Sequence, residues 1–246
     1  MRKIMTLVLT GAIAIGLVGA VSVASADEAV QTEEFTLKPT KLSKKKFANV
    51  KYVNTIVTKD APGQQQPPSA SRTVLDYSPA FKFNYNKVPT CKVDSGTLAG
   101  APTTADAKSM CGSGSAVSED SGSSAQVRVD LGATATVIDV DVVAFNAKNA
   151  SLFLYSKPTG AASGIAATIL TGKLKNSSEN GFGKALDVAI PKLGAGAISF
   201  FEVTIPKSKY VQARCKPKTI KIQATTFFDG GTQSTDDDSV KCKVKK

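Results

Sequence analysis

The sequence predicts an all-β protein, an antiparallel β-sandwich of about ten strands. Short β-branched segments with alternating polar and apolar residues recur from residue 50 onward, and Gly, Pro, Asn and Ser separate them. The segment Thr219–Phe228 shows the pattern best, because every second residue from Ile220 is apolar or Thr. No useful helical periodicity competes, and the best helix candidate is a turn or two within residues 102–110.

Each strand is predicted from its own alternating run. The predicted strands are 50–57, 72–77, 80–84, 125–131, 136–145, 151–155, 167–174, 185–190, 200–205, 219–228 and 239–244. The Pro- and Gln-rich residues 61–68 are predicted to form a loop, because proline is excluded from central strands.

The N-terminus resembles a secretory signal peptide. Arg2 and Lys3 precede an apolar run from Ile4 to about Val23, and small residues end the leader at Ala26. We expect cleavage there, and hence a secreted or cell-wall-associated protein without a transmembrane segment in its mature chain. The alternative is that the run remains as a membrane anchor. We predict that residues 27–46 form a flexible polar lead-in with one strand candidate at 35–37. We predict that residues 47–246 form a single domain.

The mature chain is basic. The whole sequence carries 31 Lys and Arg against 20 Asp and Glu, and 29 against 20 remain without Arg2 and Lys3. On an exported protein this charge favours an anionic cell-envelope polymer or acidic polysaccharide over nucleic acid. Alternatively, the lysines only keep a β-rich surface soluble. They cluster in residues 38–51, 207–221 and 241–246, and the sequence leaves open whether the clusters share one face.

Four cysteines are expected to form two disulfides in an oxidising compartment. They are Cys91, Cys111, Cys215 and Cys242. Three pairings exist, and we favour Cys91–Cys111 with Cys215–Cys242 because each closes a local loop around a turn-rich segment. Zinc is the weaker interpretation, since the chain has no Cys-x-x-Cys and no histidine.

The absence of histidine excludes catalytic triads that depend on it. We predict no catalytic residue, no cofactor and no cofactor-binding residue. The alternative from another functional class is a glycan hydrolase that uses a pair of carboxylates. Its candidate residues are Glu119, Asp120, Asp130, Asp139, Asp141 and Glu202.

The segment from Asp229 to Asp238 is the richest acidic cluster. Asp229, Asp236, Asp237 and Asp238 surround a Gly-Gly turn, and such oxygen ligands suit calcium. A calcium-dependent adhesin domain is therefore a further alternative. A solvated hairpin loop between the last two strands explains the same residues.

Short motifs around the cysteines resemble those of uncharacterised secreted proteins of actinobacteria. These motifs are Lys87-Val88-Pro89-Thr90-Cys91, Cys111-Gly112-Ser113-Gly114-Ser115-Ala116, Ala189-Ile190-Pro191 and Arg214-Cys215-Lys216-Pro217. The resemblance implies a β-sandwich with two local disulfides and carries over no activity. Met110 departs from the Cys-Pro start that the second motif has in that group. Together these features predict a secreted, non-catalytic protein with a structural or binding role.

Overall fold

The structure is a computed structural model that describes residues 30–61, 63–119, 122–131 and 134–245. The predicted signal peptide, residues 1–26, lies outside the described residues, as does Asp120.

The described chain is mostly β, with two short α-helices and single turns of 3-10 helix at Tyr85–Lys87 and Gly160–Ala162. The strands are β1 (Gln31–Lys38), β2 (Lys41–Leu42), β3 (Ala48–Asn49), β4 (Lys51–Thr58), β5 (Ala70–Tyr77), β6 (Phe81–Phe83), β7 (Ser124–Asp130), β8 (Ala135–Ala147), β9 (Ser151–Pro158), β10 (Thr168–Asn176), β11 (Lys184–Ala189), β12 (Gly196–Ile205), β13 (Val211–Ala213), β14 (Thr219–Phe228), β15 (Gln233–Lys241) and β16 (Lys243–Val244). The helices are α1 (Ser95–Ala99) and α2 (Thr104–Cys111).

Eleven strands form one antiparallel sheet that curls into a nearly closed barrel. Their order is β1-β4-β12-β7-β8-β9-β10-β11-β5-β14-β15. The all-β prediction is confirmed in part, because the protein is mostly β, but its main sheet is continuous where we expected two sheets packed face to face. Alternation shows which face of each strand is buried, and it is the same for a curled sheet and for a sandwich.

The strand β14 shows how alternation builds the interior. Ile220, Ile222 and Ala224 are fully buried, while Lys221 on the opposite face is exposed. Inward side chains from all around the sheet form one large core cluster. An aromatic group that includes Phe35, Tyr52, Tyr77, Phe81, Phe83 and Tyr210 fills one end of that core.

The two edge strands, β1 and β15, lie against one another without a backbone ladder. Side-chain carboxylates join them. The backbone N–H of Glu33 donates to Asp236 Oδ2 at 2.8 Å, and that of Phe35 donates to Asp238 Oδ2 at 2.9 Å. We call this junction the seam. It nearly completes the barrel with two side-chain hydrogen bonds.

The strand β1 lies within residues 27–46, which were predicted from the sequence to be a flexible lead-in. It pairs with β4 along its whole length, and Phe35 and Leu37 join the core. Two of its inward residues, Gln31 and Glu33, are polar, so the apolar half of the alternation is visible only at the C-terminal end of the strand.

A helical segment covers part of the outer face of the sheet. Helices α1 and α2 pack an apolar cluster against Val143, Phe145 and Tyr155, and the Cys91–Cys111 disulfide joins the segment before α1 to the end of α2. The Tyr155 hydroxyl donates to the carbonyl of Ala101 at 2.8 Å. Residues 142–147 of β8 are consequently buried on both faces. The candidate helix at 102–110 corresponds to α2.

Candidate functional site

Three lysine-rich segments that are far apart in sequence meet at one end of the barrel. Strand β2 pairs in parallel with β16, which places Lys41 opposite Lys243. Thr219 pairs with Lys241 at the start of β14. The Cys215 N–H donates to the carbonyl of Ser43 at 2.8 Å, so the third segment lies beside the first. We call segments 38–51, 207–221 and 241–245 together the basic end.

Local pairing and one disulfide hold the basic end together. The Cys215–Cys242 disulfide joins the second and third segments, and the Cys242 N–H donates to the Lys218 carbonyl at 2.8 Å. A small sheet of β3, β13 and β6 ties the first segment to the second, with Ala48 opposite Ala213. The sequence favoured this disulfide pairing, and Cys91–Cys111 as well.

Charge is strongly polarised between this end and the rest of the molecule. The three segments contain lysines and Arg214 but no Asp or Glu. Outside them, residues 27–245 carry 13 Lys and Arg against 20 Asp and Glu, so the remainder is acidic. The excess positive charge of residues 27–245 is therefore concentrated at the basic end.

Most of these lysines are exposed, and few have an acidic partner. In the described part of the three segments one ion pair is found, between Lys51 Nζ and Glu119 Oε2 at 2.6 Å. The exposed lysines are Lys38, Lys41, Lys44, Lys45, Lys46, Lys207, Lys209, Lys216, Lys218, Lys221, Lys241, Lys243 and Lys245.

An aromatic ring organises the cations at one side of the basic end. The Arg214 guanidinium lies 4.7 Å from the ring centroid of Phe47, and Lys82 Nζ lies 5.7 Å from it. Within the described residues, Arg214 Nε has no hydrogen-bond partner. That nitrogen is buried, and stacking on Phe47 fixes the plane of the guanidinium.

The four aspartates considered for calcium do not lie together. Asp229 is at the exposed hairpin turn, whereas Asp236, Asp237 and Asp238 belong to β15, where the sequence predicts a loop. Asp236 and Asp238 lie at the seam, and Asp237 is on the other face of the strand. Within the described ranges, no group of three or more acidic, Cys or His side chains is arranged to hold a metal ion.

The acids considered for glycan hydrolysis are distributed over the outer surface and the ends of strands. Asp139 accepts from Gln126 Nε2 at 3.0 Å, and Glu202 accepts from the Thr55 hydroxyl at 2.9 Å. Asp141 is exposed on β8, and Asp130 is at the end of β7. Glu119 pairs with Lys51. None of these described acids lines the interior of the barrel.

The seam contains an acid that sequence reasoning did not single out. Glu33 is 3% exposed, and burial, with the negative charges of Asp238 and Asp236, raises its pKa to about 8 despite a hydrogen bond from Asn54 that lowers it. We orient the Asn54 amide with its nitrogen 2.8 Å from Glu33 Oε1, because its oxygen then accepts from the Thr55 N–H. In the opposite orientation the Asn54 nitrogen lies 3.5 Å from Glu33 Oε2.

The fold and these sites define a mostly-β protein with two disulfides. No family model, curated protein or solved structure matches the chain, so no family is identified. None of the described helices is long and apolar enough to span a membrane.

Proposed function

We propose that the protein is an exported, non-catalytic binding protein that attaches to anionic polymers of the cell envelope through the basic end. The convergence of the three lysine-rich segments supports this proposal most directly. Chain segments of like charge repel one another, yet here they are brought together by strand pairing and a disulfide. A polymer with regularly spaced negative charges relieves that repulsion and gains affinity from many weak contacts.

Two local features fit a polymeric anion. Lys41 and Lys243 are direct cross-strand neighbours, and such neighbours lie about 5 Å apart. A like-charged pair costs stability until an anion lies between its members. Arg214, fixed against Phe47, offers donors of the planar kind that recognise phosphate and carboxylate groups. The disulfides are consistent with export.

The test is binding of the purified protein to fluorescently labelled linear polyphosphate, measured by anisotropy at low and at high salt. We expect binding that weakens as salt screens the charges. The double variant Lys41→Glu with Lys243→Glu should bind about tenfold more weakly or worse. A polyuronate in parallel distinguishes phosphate from carboxylate preference.

The matched control is Lys59→Glu with Lys192→Glu, which changes the net charge equally. Both control residues are exposed and lie near the other end of the barrel, after β4 and β11 respectively. This variant should lose less than about threefold in affinity. If both double variants weaken binding equally, overall charge alone drives association. If the parent protein does not bind at low salt, the proposal is wrong.

A further inference from the structure

The barrel interior contains a cavity of about 100 Å³ whose wall is almost entirely apolar. It lies on the inner side of the sheet and is separate from the exposed lysines of the basic end. Its lining has no Asp, Glu, Lys or Arg. Aliphatic side chains dominate the wall, among them Leu75, Leu152, Leu154, Leu170, Leu186 and Val188.

One amide in this wall has no partner. Gln31 of β1 lines the cavity and is fully buried, and neither its Nε2 nor its Oε1 makes a hydrogen bond. An unpaired buried amide group costs stability, because both the donor and the acceptor have lost their water.

The other polar groups of the cavity differ from Gln31 in this respect. The hydroxyls of Thr73 and Thr226 bond to each other at 2.8 Å, and the Asn54 amide nitrogen, in the orientation given above, donates to the Tyr52 hydroxyl. Among the described residues of the lining, only the two amide atoms of Gln31 are buried and unpaired. The interior therefore presents one donor and one acceptor, side by side, in an otherwise apolar space.

We propose that this cavity binds a small, uncharged, mainly hydrocarbon molecule that carries a carboxamide or lactam group. A carboxamide has an acceptor and a donor side by side, so it can form a pair of hydrogen bonds with the Gln31 amide. Its hydrocarbon part fills the aliphatic wall. A charged ligand is disfavoured, because no side chain of opposite charge lines the cavity.

The size of the cavity limits the ligand to a few carbon atoms. An apolar cavity of about 150 Å³ admits benzene, so this smaller one suits a branched short-chain amide. Isovaleramide is a suitable probe. Two isosteres serve as controls: 4-methyl-2-pentanone replaces the amide NH2 with a methyl group, and isovalerate replaces it with a charged oxygen.

The experiment titrates each of the three compounds into the ¹⁵N-labelled protein and follows chemical shifts together with the melting temperature. Isovaleramide should bind about tenfold more tightly than the ketone, because the ketone leaves Gln31 Oε1 without a donor. Isovalerate should not bind measurably. Equal binding of amide and ketone, or no binding of either, overturns the proposal; an ordered water on Gln31 in an otherwise dry cavity would produce that result.

Two variants test the role of the amide. Gln31→Leu should raise the melting temperature of the unliganded protein and reverse the ranking, so that the ketone binds more tightly than the amide. The exposed Gln233→Leu is the matched control and should keep the ranking of the parent protein. An unchanged ranking in Gln31→Leu would contradict the proposal. The affinities of the three compounds for the parent protein test the proposal on their own. The proposal can therefore be tested even if neither variant folds.

Discussion

The Cys91–Cys111 disulfide closes a segment of two short helices that pack an apolar cluster onto the sheet, whereas Cys215–Cys242 joins two segments of like charge at the basic end. The enclosed chain lengths are similar, with sequence separations of 20 and 27 residues. By the chain-entropy estimate each crosslink contributes about 3 kcal/mol. Both disulfides are buried in apolar clusters, but electrostatic repulsion between lysines opposes only the second.

This difference shows that a disulfide can reinforce an apolar cluster or can also hold like charges close together. At the helices it adds to a cluster that also buries Leu98, Phe145 and Tyr155. At the basic end Cys215 and Cys242 belong to the large core cluster, and their crosslink also holds segments of like charge together. The second disulfide is consequently the one on which the proposed binding surface depends.

The largest effect is expected where packing reinforces the crosslink. Phe145 is fully buried beneath the helices, so Phe145→Ala should lower the free energy of unfolding by about 4 kcal/mol. Urea denaturation measures this loss. Polyphosphate affinity should remain within twofold of the parent protein, since the substituted site is not part of the basic end. A loss below about 1 kcal/mol would show that the disulfide, and not the cluster, holds the helices.

Removing the Cys215–Cys242 disulfide should show how strongly repulsion between the lysines lowers the free energy of unfolding. The variant Cys215→Ser with Cys242→Ser should lose about 3 kcal/mol, and the loss should be larger at low ionic strength, where the lysines repel most strongly. Its polyphosphate binding should weaken. The variant Cys91→Ser with Cys111→Ser is the control, with a similar loss at all salt concentrations. Identical salt dependence in the two variants would refute the contrast between them.

The seam beside the basic end should respond to pH. The pKa of Glu33 is raised to about 8 in the folded protein, against 4.5 for the ordinary group. The folded state therefore binds more protons between these values, and stability should fall as pH rises from about 4.5 to about 8. Glu33→Gln should remove this slope, and at pH 9 its free energy of unfolding should exceed that of the parent protein by a few kcal/mol.

Hydrogen exchange locates this effect. Above pH 8 the amides of Glu33 and Phe35 should exchange faster in the parent protein than in Glu33→Gln, because a charged Glu33 repels Asp236 and Asp238. Amides under the helices, such as that of Phe145, should exchange at the same rate in both proteins. Stability that is flat between pH 4.5 and pH 8 in the parent protein would show that Glu33 is not protonated there.

The smallest expected effect comes from one cross-strand pair. Lys41→Glu places a carboxylate opposite Lys243, and such a pair should stabilise the protein by about 0.5 kcal/mol. The same change should weaken polyphosphate binding. A variant that is more stable and yet binds more weakly would show that the lysine pair serves binding at a cost in stability. Thermal unfolding and anisotropy on one preparation give both values.

Much of the sheet is predictable because its inward residues are apolar. The alternation from Ile220 to Phe228 gives the bounds of β14 without error. Prediction fails where inward residues are polar. Gln31 and Glu33 obscure the start of β1, and Asp236 and Asp238 make half of β15 resemble a loop. These residues all come from the two edge strands, where a side chain can bond to the backbone of the neighbouring strand.

The basic end was only partly predictable. The lysine clusters are visible in the sequence, but their convergence depends on the pairing of β2 with β16, two strands of two residues each. Strands that short have no periodicity. The curling of the sheet was likewise hidden, because local patterns do not specify that β12 lies between β4 and β7. The interior cavity depends on that curling.

The seam also bears on aggregation. Exposed edge strands present rows of unpaired N–H groups that can template pairing with another chain. Here the outward N–H groups of Glu33 and Phe35 are already occupied by carboxylates of Asp236 and Asp238. A second copy would have to displace these two hydrogen bonds before it could extend the sheet. The two aspartates therefore protect the edges of this barrel against fibril-like growth.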